Sequence, residues 1–512
     1  GSIDWLCLPR FDSPSCFARL LGGEGHWQIA PSGEITEVRR SYRDSTLVLD
    51  TEFHTPTGVV RLTDAMLPSE YDTNDSPAIA RMVQGVDGAV EMTLRWVVRF
   101  AYGHSTPWVR RVTDGGSSTG AQARECLLAV AGPTAITLHG DLLPVTQEGE
   151  HAHQATFTVK AGESLSWVLA YCPDSESPVA AVDAEAELAG AERFWRYWAD
   201  RIDYTGPHAD AVISSLSTLK GLTYQPTGGI IAAPTTSLPE TPGGNRNWDY
   251  RYCWLRDATL TLLAMDNFNC TTEAAQWRRW LLRAVAGDPS ELQIMYGLAG
   301  ERHLLEWELD WLPGYQGAAP VRVGNAAYQQ LQLDVYGELM DTLHLARERG
   351  HDETAESWAL QRGLMKQLAK IWQQPDKSLW EVRGEDRHFT YSRVMVWVAF
   401  DRAVRGVEED GLDGPVQQWR ELRDAVRAEI LEHGFNTELN SFVQYYGGTE
   451  LDASTLRLSS VGFLAGDDPR MVGTVEAVGK ALKRGDLVDR YTTGADASEV
   501  DGLSGQEGAF LM

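Results

Sequence analysis

Residues 243–260, GGNRNWDYRYCWLRDATL, concentrate side chain types that can bind a sugar. Between positions 246 and 257 the stretch holds three arginines, two aspartates, two tryptophans and two tyrosines. Aromatic faces give apolar contact to the C–H surface of a sugar ring, and charged groups hold its hydroxyls in fixed directions. The same residues could instead form a buried Arg–Asp network beside an aromatic core, because charged residues are seldom buried unless paired. Residue types alone leave both interpretations open.

Two glutamates have contexts that suit acid–base chemistry on a glycosidic bond, which needs a proton donor and a second carboxylate. Glu381 follows Trp380 at the break between two predicted helices, where burial against an aromatic wall would raise its pKa as a general acid requires. Glu507 lies between glycines in GLSGQEGAF, where backbone and substrate can approach closely. The plain alternatives are a loop glutamate paired with Arg383 and a helix N-terminal glutamate that complements the helix dipole.

A third segment, ERHLLEWELDWLPGY at positions 301–315, is also rich in aromatic and acidic residues. We interpret it as a long loop that lines the pocket, and its acidic residues are weaker catalytic candidates than the two glutamates above. Trp307 and Trp311 are four positions apart, so a helical core stripe is the alternative interpretation.

Composition and charge limit the class of protein. With 43% hydrophobic and 23% charged residues over 512 positions, the chain is globular and too long for one ordinary domain. The net charge of −27 disfavours nucleic acid and acidic membrane partners but does not affect a neutral saccharide. Six scattered cysteines without CxxC spacing favour a reducing compartment, and neither a signal peptide nor a transmembrane run is visible. We expect a cytoplasmic protein with no metal and no cofactor.

Hydrophobic periodicity predicts the domains. From residue 4 to about 171 apolar and polar residues alternate in short segments, which predicts an antiparallel β-sandwich with a hairpin turn at Asp87-Gly88. Positions 180–200 form an amphipathic helix that we interpret as a linker, and amphipathic and fully buried helices alternate after it. The predicted domains are a β-sandwich at 1–178, a helical linker at 179–204 and a helical barrel at 205–512.

The helical pattern predicts two concentric rings. A double ring of six inner and six outer helices needs twelve, and about ten are predicted, so the last barrel helices are unaccounted for in this sequence. The predicted helices of this region lie near 208–222, 255–267, 272–286, 325–348, 353–373, 389–405, 414–433, 453–464 and 470–484, and another starts near 506.

Five segments in order resemble the glucoamylase-like family, glycoside hydrolase family fifteen, in its bacterial form. They are GSIDWLCLPRFDSPSCFARLLGG, NWDYRYCWLRDATLTLLAM, ELDWLPGYQGAAPVRVGNAA, SLWEVRGEDRHFTYSRVMVWVAFDRA and GLSGQEGAF. The resemblance covers essentially the whole chain. It implies an N-terminal antiparallel β-supersandwich, a helical linker and an (α/α)6 barrel, with hydrolysis by inversion at the anomeric carbon.

The resemblance also implies the roles of particular residues. Glu381 matches the general acid, and Glu507 matches the general base that activates water. Arg256 and Asp257 match the pair that holds the non-reducing terminal glucose, which closes one end of the pocket and implies exo action. The full set of implied substrate-binding residues is Tyr250, Trp254, Arg256, Asp257, Trp311, Arg322, Trp380 and Arg383.

The favoured function is therefore an inverting exo-acting α-glucosidase on α-glucans or glucose oligosaccharides. In this family the same machinery also serves trehalose, so α,α-trehalase is the alternative; the motifs identify the subsite of the terminal glucose and not that of the leaving group. A disaccharide phosphorylase, in which phosphate replaces the second carboxylate, and a non-catalytic glucan-binding protein are less favoured.

Overall fold

The computed structural model describes residues 1–68, 76–114, 123–147, 149, 151–174, 178–491, 502 and 508–510. The chain forms two compact units. The first contains the described residues of Gly1–Pro226 with the short segments Asn267–Cys270 and Asp310–Gly317; the second contains Thr227–Asp266, Thr271–Leu309 and the described residues from Ala318 onward. The boundaries at 178 and 204 remain a prediction.

Antiparallel strands make up most of the first unit, because its apolar residues alternate with polar ones at the period of a half-buried strand. The strands are β1 (Ser2–Ile3), β2 (Leu6–Cys7), β3 (Ser15–Phe17), β4 (His26–Pro31), β5 (Glu37–Tyr42), β6 (Leu49–Thr55), β7 (Gly58–Met66), β8 (Ala78–Val97), β9 (Trp108–Thr113), β10 (Glu125–Ala131), β11 (Thr134–Gly140), β12 (Val145–Gln147), β13 (Ala152–Lys160) and β14 (Ser164–Cys172). Their inward faces form a core that includes the fully buried Trp27, Trp96 and Trp167.

Strand β8 belongs to both layers of the sandwich. Its first half pairs with β7 and β14, and its second half pairs with β4 and β13. The predicted hairpin turn at Asp87-Gly88 is wrong, because these residues lie inside one continuous strand where the pairing changes from one layer to the other. Gly88 has φ 63°, which lets the strand bend there without a side chain clash.

Helix α1 (Ala184–Ala199), in the segment predicted as a linker, packs on the sandwich. Its buried face contributes Ala184, Leu188 and Ala191 to a cluster that includes Ala80 and Val168 of the strands. Helix α2 (Ala209–Gly221) follows it in the same unit. The apolar stripe that marks an amphipathic helix is therefore buried against β-strands.

The second unit is mainly helical. Helix α7 (Thr390–Glu408) is buried along nearly its whole length, as the all-round apolar run VMVWVAF predicts, and it packs against the helices on either side of it in the chain. The helices are α3 (Leu255–Asp266), α4 (Thr271–Ala284), α5 (Asp334–Glu348), α6 (Ala355–Ile371), α7 (Thr390–Glu408), α8 (Val416–His433) and α9 (Pro469–Ala481).

Two predicted helices differ from the structure. Residues Ala326–Gln329 and Ala453–Leu458 form short 3-10 turns, and α5 begins only at residue 334. In each case a polar side chain starts the turn: Asn325 accepts from the N–H of residue 327, and Asp452 accepts from the N–H of residue 454. The helix predicted near 506 lies outside the described residues.

In the part of the chain that the structure describes, eleven short strands of two or three residues follow α2. They are β15 (Thr223–Tyr224), β16 (Gly229–Ile230), β17 (Cys253–Trp254), β18 (Met295–Tyr296), β19 (Trp307–Glu308), β20 (Arg322–Val323), β21 (Phe435–Asn436), β22 (Ser441–Phe442), β23 (Lys483–Arg484), β24 (Leu487–Asp489) and β25 (Ala509–Phe510). Because Trp307 is in a strand, the helical stripe considered for that segment does not form. Within the described ranges, no helix is both long and apolar enough to cross a membrane.

Candidate active site

A cavity of about 830 Å³ lies in the second unit, a volume in the usual range of small-molecule sites. Aromatic, acidic and basic side chains line it. Seven residues predicted for the site are among them: Tyr250, Trp254, Arg256, Asp257, Trp380, Glu381 and Arg383. The structure therefore brings most of the predicted site residues into one cavity.

Arg256 lies in the first turn of α3, immediately after strand β17, whose pairing with β18 positions the start of the helix. Its guanidinium donates to the carbonyl of Leu379 at 2.8 Å and to Glu381 Oε1 at 3.3 Å. Burial works against the charge of Arg256, but the carboxylates of Asp257, Glu381 and Asp334 outweigh it and raise the pKa of Arg256. Arg256 is thus a fixed cation that connects α3 to the loop before α7.

Asp257 follows Arg256 on the same helix turn. Its Oδ2 lies 3.4 Å from the Arg256 guanidinium, and the side chain is 43% exposed. Oδ2 is buried and has no hydrogen-bond partner within the described part of the chain. The exposed remainder of this carboxylate can accept hydrogen bonds from a ligand in the cavity.

Glu381 is in a tight loop with an unusual backbone. Its φ is 59° and that of Ser378 is 63°, a left-handed conformation that costs a non-glycine residue on the order of 1 kcal/mol or more. The loop is closed by backbone hydrogen bonds from Glu381 N to Ser378 O at 3.1 Å and from Val382 N to Lys377 O at 3.0 Å. Gln330 Nε2 donates to the carbonyls of Glu381 and Val382, both at 3.3 Å. Strain of this kind is typical of functional sites.

The Glu381 carboxyl is held by two donors. Its Oε1 accepts from Trp254 Nε1 at 2.5 Å and from Arg256 at 3.3 Å. Burial raises the pKa of Glu381, and this effect outweighs the lowering by Arg256 and by the Trp254 hydrogen bond. A buried carboxyl with a raised pKa can keep a proton to give to a leaving group.

A second Arg–Asp pair in the same stretch, Asp249 and Arg251, has a different environment. The two side chains are 2.7 Å apart, and neither is exposed at all. Asp249 also accepts from the N–H of Gly324 at 3.1 Å, and Asn325 Nδ2 donates to the Asp249 carbonyl at 3.4 Å. This pair is the buried network that the sequence analysis gave as the alternative interpretation of the stretch.

Trp380 forms another wall of the cavity. Its indole N–H donates to Asp452 Oδ2 at 2.8 Å. The ring packs edge-on against Phe510 with centroids 5.2 Å apart, and the Arg490 guanidinium lies 5.4 Å from its centre. Burial raises the pKa of Asp452 despite the hydrogen bonds that it accepts. Trp380 is therefore anchored by the structure around it.

Two of the predicted residues that the structure describes do not line the cavity. Arg322 lies behind its wall, with its guanidinium carbon 4.6 Å from the centre of the Trp248 ring. Trp311 belongs to the first unit, where its indole N–H donates to the carbonyl of Tyr102 at 3.0 Å. Glu507 lies outside the described residues.

Glu240 is a cavity residue that the sequence analysis did not identify. Its Oε1 lies 3.4 Å from both the Tyr250 hydroxyl and Arg490 Nη1, and its Oε2 accepts from the N–H of Gly508 at 3.2 Å. The only local signal for Glu240 was its position between two prolines, just before the aromatic stretch. Its partners are far away in the chain, so spacing could not reveal them.

Helix α5 places two further acidic residues close to Arg256. Asp334 is fully buried 3.9 Å from the Arg256 guanidinium, and neither of its oxygens has a hydrogen-bond partner in the described ranges. Burial raises the pKa of Asp334 to about 7. One turn later, Glu338 Oε1 accepts from the Tyr391 hydroxyl at 2.8 Å and lies 3.4 Å from Arg457, a cavity residue. The sequence signal for these two residues was that they lie four positions apart on an otherwise apolar stretch of the helix.

Comparison with known proteins identifies the family. Residues 206–512 match the family model of glycosyl hydrolases family 15, and residues 1–195 match that of a trehalase-like N-terminal domain. The chain belongs to glycosyl hydrolase family 15. It is therefore a glycoside hydrolase, and the family predicted from the sequence is confirmed.

Relatives of this family 15 enzyme match it along its whole length. It is 36% identical to a trehalase of Mycobacterium tuberculosis, with 100% of this chain and 77% of the relative covered. It is 34% identical to a trehalase of Thermoplasma volcanium, with coverage of 100% and 80%. A bacterial glucoamylase solved in complex with acarbose is 13% identical, with a TM-score of 0.70 and coverage of 100% and 81%. That likeness confirms the predicted fold class, an N-terminal antiparallel β-sandwich followed by a helical domain.

Proposed function

We propose that this family 15 enzyme is an inverting α,α-trehalase. The relatives named trehalase support this function, since they are similar over the full chain at 34–36% identity. The likeness to a glucoamylase is one of fold, at 13% identity. The α-glucan exo-glucosidase that the sequence analysis favoured is therefore the less supported function, and the alternative given there is the better one.

One observation carries the chemistry: a partly buried Glu381 carboxyl that accepts hydrogen bonds from Trp254 and Arg256 in a cavity of sugar-binding composition. In the proposed reaction Glu381 gives its proton to the oxygen that joins the two glucose units. The bond from this oxygen to the anomeric carbon breaks, and a water molecule attacks that carbon from the opposite face.

Glu507 is the proposed general base that takes a proton from the attacking water. Support comes from its neighbours in the chain, since Gly508 N donates to Glu240 and residues 509 and 510 line the cavity. An inverting mechanism requires the two carboxyl groups to be about 6.5–9.5 Å apart, so that the water fits between Glu507 and the substrate.

Arg256 and Asp257 are the proposed ligands of the terminal glucose hydroxyls, with the rings of Tyr250 and Trp254 beside them. The exposed oxygen of Asp257 and the fixed Arg256 cation support this role. The flanking residues Trp380 and Arg383 and the bordering Arg322 complete the proposed substrate-binding set. Trp311 is not part of it, because its indole N–H is bound within the first unit. The substrate is a neutral glucose-containing saccharide.

The test is hydrolysis of trehalose, maltose and isomaltose in phosphate-free buffer, with the product anomers followed by proton NMR. We expect trehalose to be the best substrate. Inversion at one anomeric carbon should release one β-glucose and one α-glucose in equal initial amounts, whereas retention would release only α-glucose. Rapid cleavage of maltose with no cleavage of trehalose would contradict the proposal, and a strict requirement for phosphate would indicate a phosphorylase.

A further inference from the structure

Four side chains next to the Glu381 loop form a compact group: Trp248, Glu306, Arg322 and Arg383, hereafter the Trp248 cluster. The guanidinium carbons of Arg322 and Arg383 each lie 4.6 Å from the centre of the Trp248 ring. Trp248 and Arg383 line the cavity. An aromatic ring beside charged hydrogen-bond donors is suited to a sugar.

Glu306 holds the two cations of the cluster together. Its Oε2 accepts from Arg383 Nη2 at 2.9 Å and from the N–H of Ala326 at 3.0 Å, and its Oε1 lies 4.0 Å from Arg322 Nε. Burial acts to raise the pKa of Glu306, but the hydrogen bonds from Arg383 and Ala326 outweigh it and lower the pKa. Glu306 therefore stays ionised and keeps both guanidiniums close to the indole.

The backbone beneath the cluster is rigidly held. The carbonyl of Arg322 accepts from Thr236 Oγ1 at 2.6 Å and from Ser237 Oγ at 2.9 Å. The Arg322 guanidinium donates to the carbonyl of Asn245 at 2.9 Å. Strand β20 pairs with β19 through Arg322 and Glu308. A site that is fixed before the ligand arrives loses less entropy on binding.

Hydrogen-bond donors of the cluster are available to a ligand. Trp254 and Trp380 donate their indole N–H groups to carboxylates at 2.5 and 2.8 Å, whereas the Trp248 N–H has no hydrogen-bond partner among the described residues. The hydrogen bonds of Arg383 within the same ranges go to Glu306 alone, so most of the five N–H donors of its guanidinium can face a ligand. These donors match the hydroxyl oxygens of a neutral sugar.

The position of the cluster relative to Glu381 indicates which sugar it binds. Arg383 is two residues after Glu381 in the same loop, whereas the Glu381 carboxyl is held by Trp254 and Arg256. A general acid protonates the oxygen between two sugars, so one sugar lies on each side of it. If Arg256 and Asp257 bind the terminal glucose, the second sugar has to contact other cavity residues, and Trp248 and Arg383 are cavity residues that do not hold the Glu381 carboxyl.

We propose that the Trp248 cluster binds the leaving glucose and thereby determines which glycosidic linkage is cleaved. This inference rests on the proposed function, because it takes Glu381 as the proton donor between the two glucose units. It assigns the subsite that the family motifs leave open. The cluster is thus a specificity site, and it is separate from the residues that hold the terminal glucose.

The test compares two substrates of the full chain: trehalose, whose leaving group is glucose, and α-glucosyl fluoride, whose leaving group is fluoride and cannot contact a sugar subsite. Trp248→Phe keeps an aromatic ring but removes the N–H, and Arg383→Ala removes the donors beside it. We expect kcat/KM for trehalose to fall about tenfold in Trp248→Phe and at least about a hundredfold in Arg383→Ala. For α-glucosyl fluoride we expect changes within about threefold, because that substrate needs only the terminal glucose subsite.

Arg362→Ala is the matched control, because Arg362 is a partly exposed arginine of α6 whose partner, Asp413, is 89% exposed. It should leave both substrates unchanged. Glu306→Gln is a second test of the cluster and should also reduce activity on trehalose alone. The α-glucosyl fluoride assay reports on folding, since only a folded site cleaves it.

A parallel loss on both substrates in Trp248→Phe would overturn the inference, because the cluster would then serve the terminal glucose or the fold. Unchanged activity on trehalose in Trp248→Phe and Arg383→Ala would also overturn it. If the parent enzyme cleaves maltose but not trehalose, the proposed function fails while the same comparison, made with maltose, still tests the subsite. A parent enzyme inactive on α-glucosyl fluoride and every disaccharide would overturn both.

Discussion

Two arginine–aspartate pairs in one stretch of sequence have the same composition and different environments. Asp249 and Arg251 are 2.7 Å apart with both side chains fully buried. Arg256 and Asp257 are 3.4 Å apart, with side chains 17% and 43% exposed. The first pair uses its hydrogen-bonding groups within the fold, whereas the second keeps part of Asp257 open to the cavity and connects Arg256 to Glu381.

The difference shows that residue types do not distinguish a structural ion pair from a binding one. What distinguishes them is where their hydrogen bonds go. A buried pair stabilises the fold only while both partners are present, because one partner alone is an uncompensated buried charge. An exposed carboxylate beside a fixed cation costs less to desolvate and can exchange water for a ligand hydroxyl.

The largest effect in this comparison is expected from a change at Glu381. Of the two pairs, Glu381 contacts only Arg256–Asp257. We expect Glu381→Gln to lower kcat for trehalose by about 10²–10⁴-fold, because the amide has no acidic proton that it can transfer to the leaving oxygen. Thermal stability should be equal or higher, since burial disfavours the charged form of this carboxyl. Activity near that of the parent would remove Glu381 from the mechanism.

The complementary change is Asp249→Asn in the buried pair. We expect the free energy of unfolding to fall by about 3–5 kcal/mol, because the charge of Arg251 would stay buried without its counter-ion. Urea denaturation followed by tryptophan fluorescence measures this. Asp413→Asn, which changes the 89% exposed member of its ion pair with Arg362, is the control and should alter stability by less than about 1 kcal/mol. Equal effects of the two substitutions would break the distinction.

Asp257→Asn tests the open member of the other pair. We expect kcat/KM for trehalose to fall about a hundredfold, because a charged hydrogen-bond acceptor for the terminal glucose is lost. The melting temperature should change by less than about 2 °C, since the side chain is 43% exposed. A large loss of stability with normal kinetics would instead place Asp257 with the structural residues.

The smallest expected effect concerns Asp334, the buried carboxyl near Arg256, whose pKa burial raises to about 7. The folded state holds this proton more tightly than the unfolded chain, so the stabilisation is complete below about pH 4 and is lost as pH rises through 7. Asp334→Asn has no such proton. The free energy of unfolding of this variant, relative to that of the parent, should therefore increase by on the order of 2 kcal/mol between pH 5 and 8. Melting temperatures at several pH values measure this, and a difference that is constant with pH would refute it.

The local sequence predicted an element correctly where the residues of that element alone determine its structure. Helix α7 was predicted at 389–405 and spans Thr390–Glu408, because an apolar run of that length is satisfied only by burial on all sides. The turn at Asp87-Gly88 was wrong because strands on both sides of β8 override a strong local turn signal. The 3-10 turns after Asn325 and Asp452 were missed because a side chain cap, not an apolar stripe, determines them.

The site was predictable in its residues and not in its contacts. The family motifs predicted Arg256 and Glu381 as members of one site, and these residues are 125 positions apart in the chain and in hydrogen-bond contact. Motifs did not indicate Glu240 or Asp334, because the significance of each depends on a distant partner. Composition also could not separate Arg251 from Arg256, since only burial and contacts distinguish them.

The left-handed backbone at Glu381 has a consequence for laboratory evolution of this enzyme. A glycine at that position would adopt the same conformation without steric conflict, so replacing the glutamate should relax the loop. Selection for heat tolerance alone would then favour variants in which Glu381, the proposed proton donor, has been replaced. Screens of this enzyme need to select for turnover and thermal resistance together.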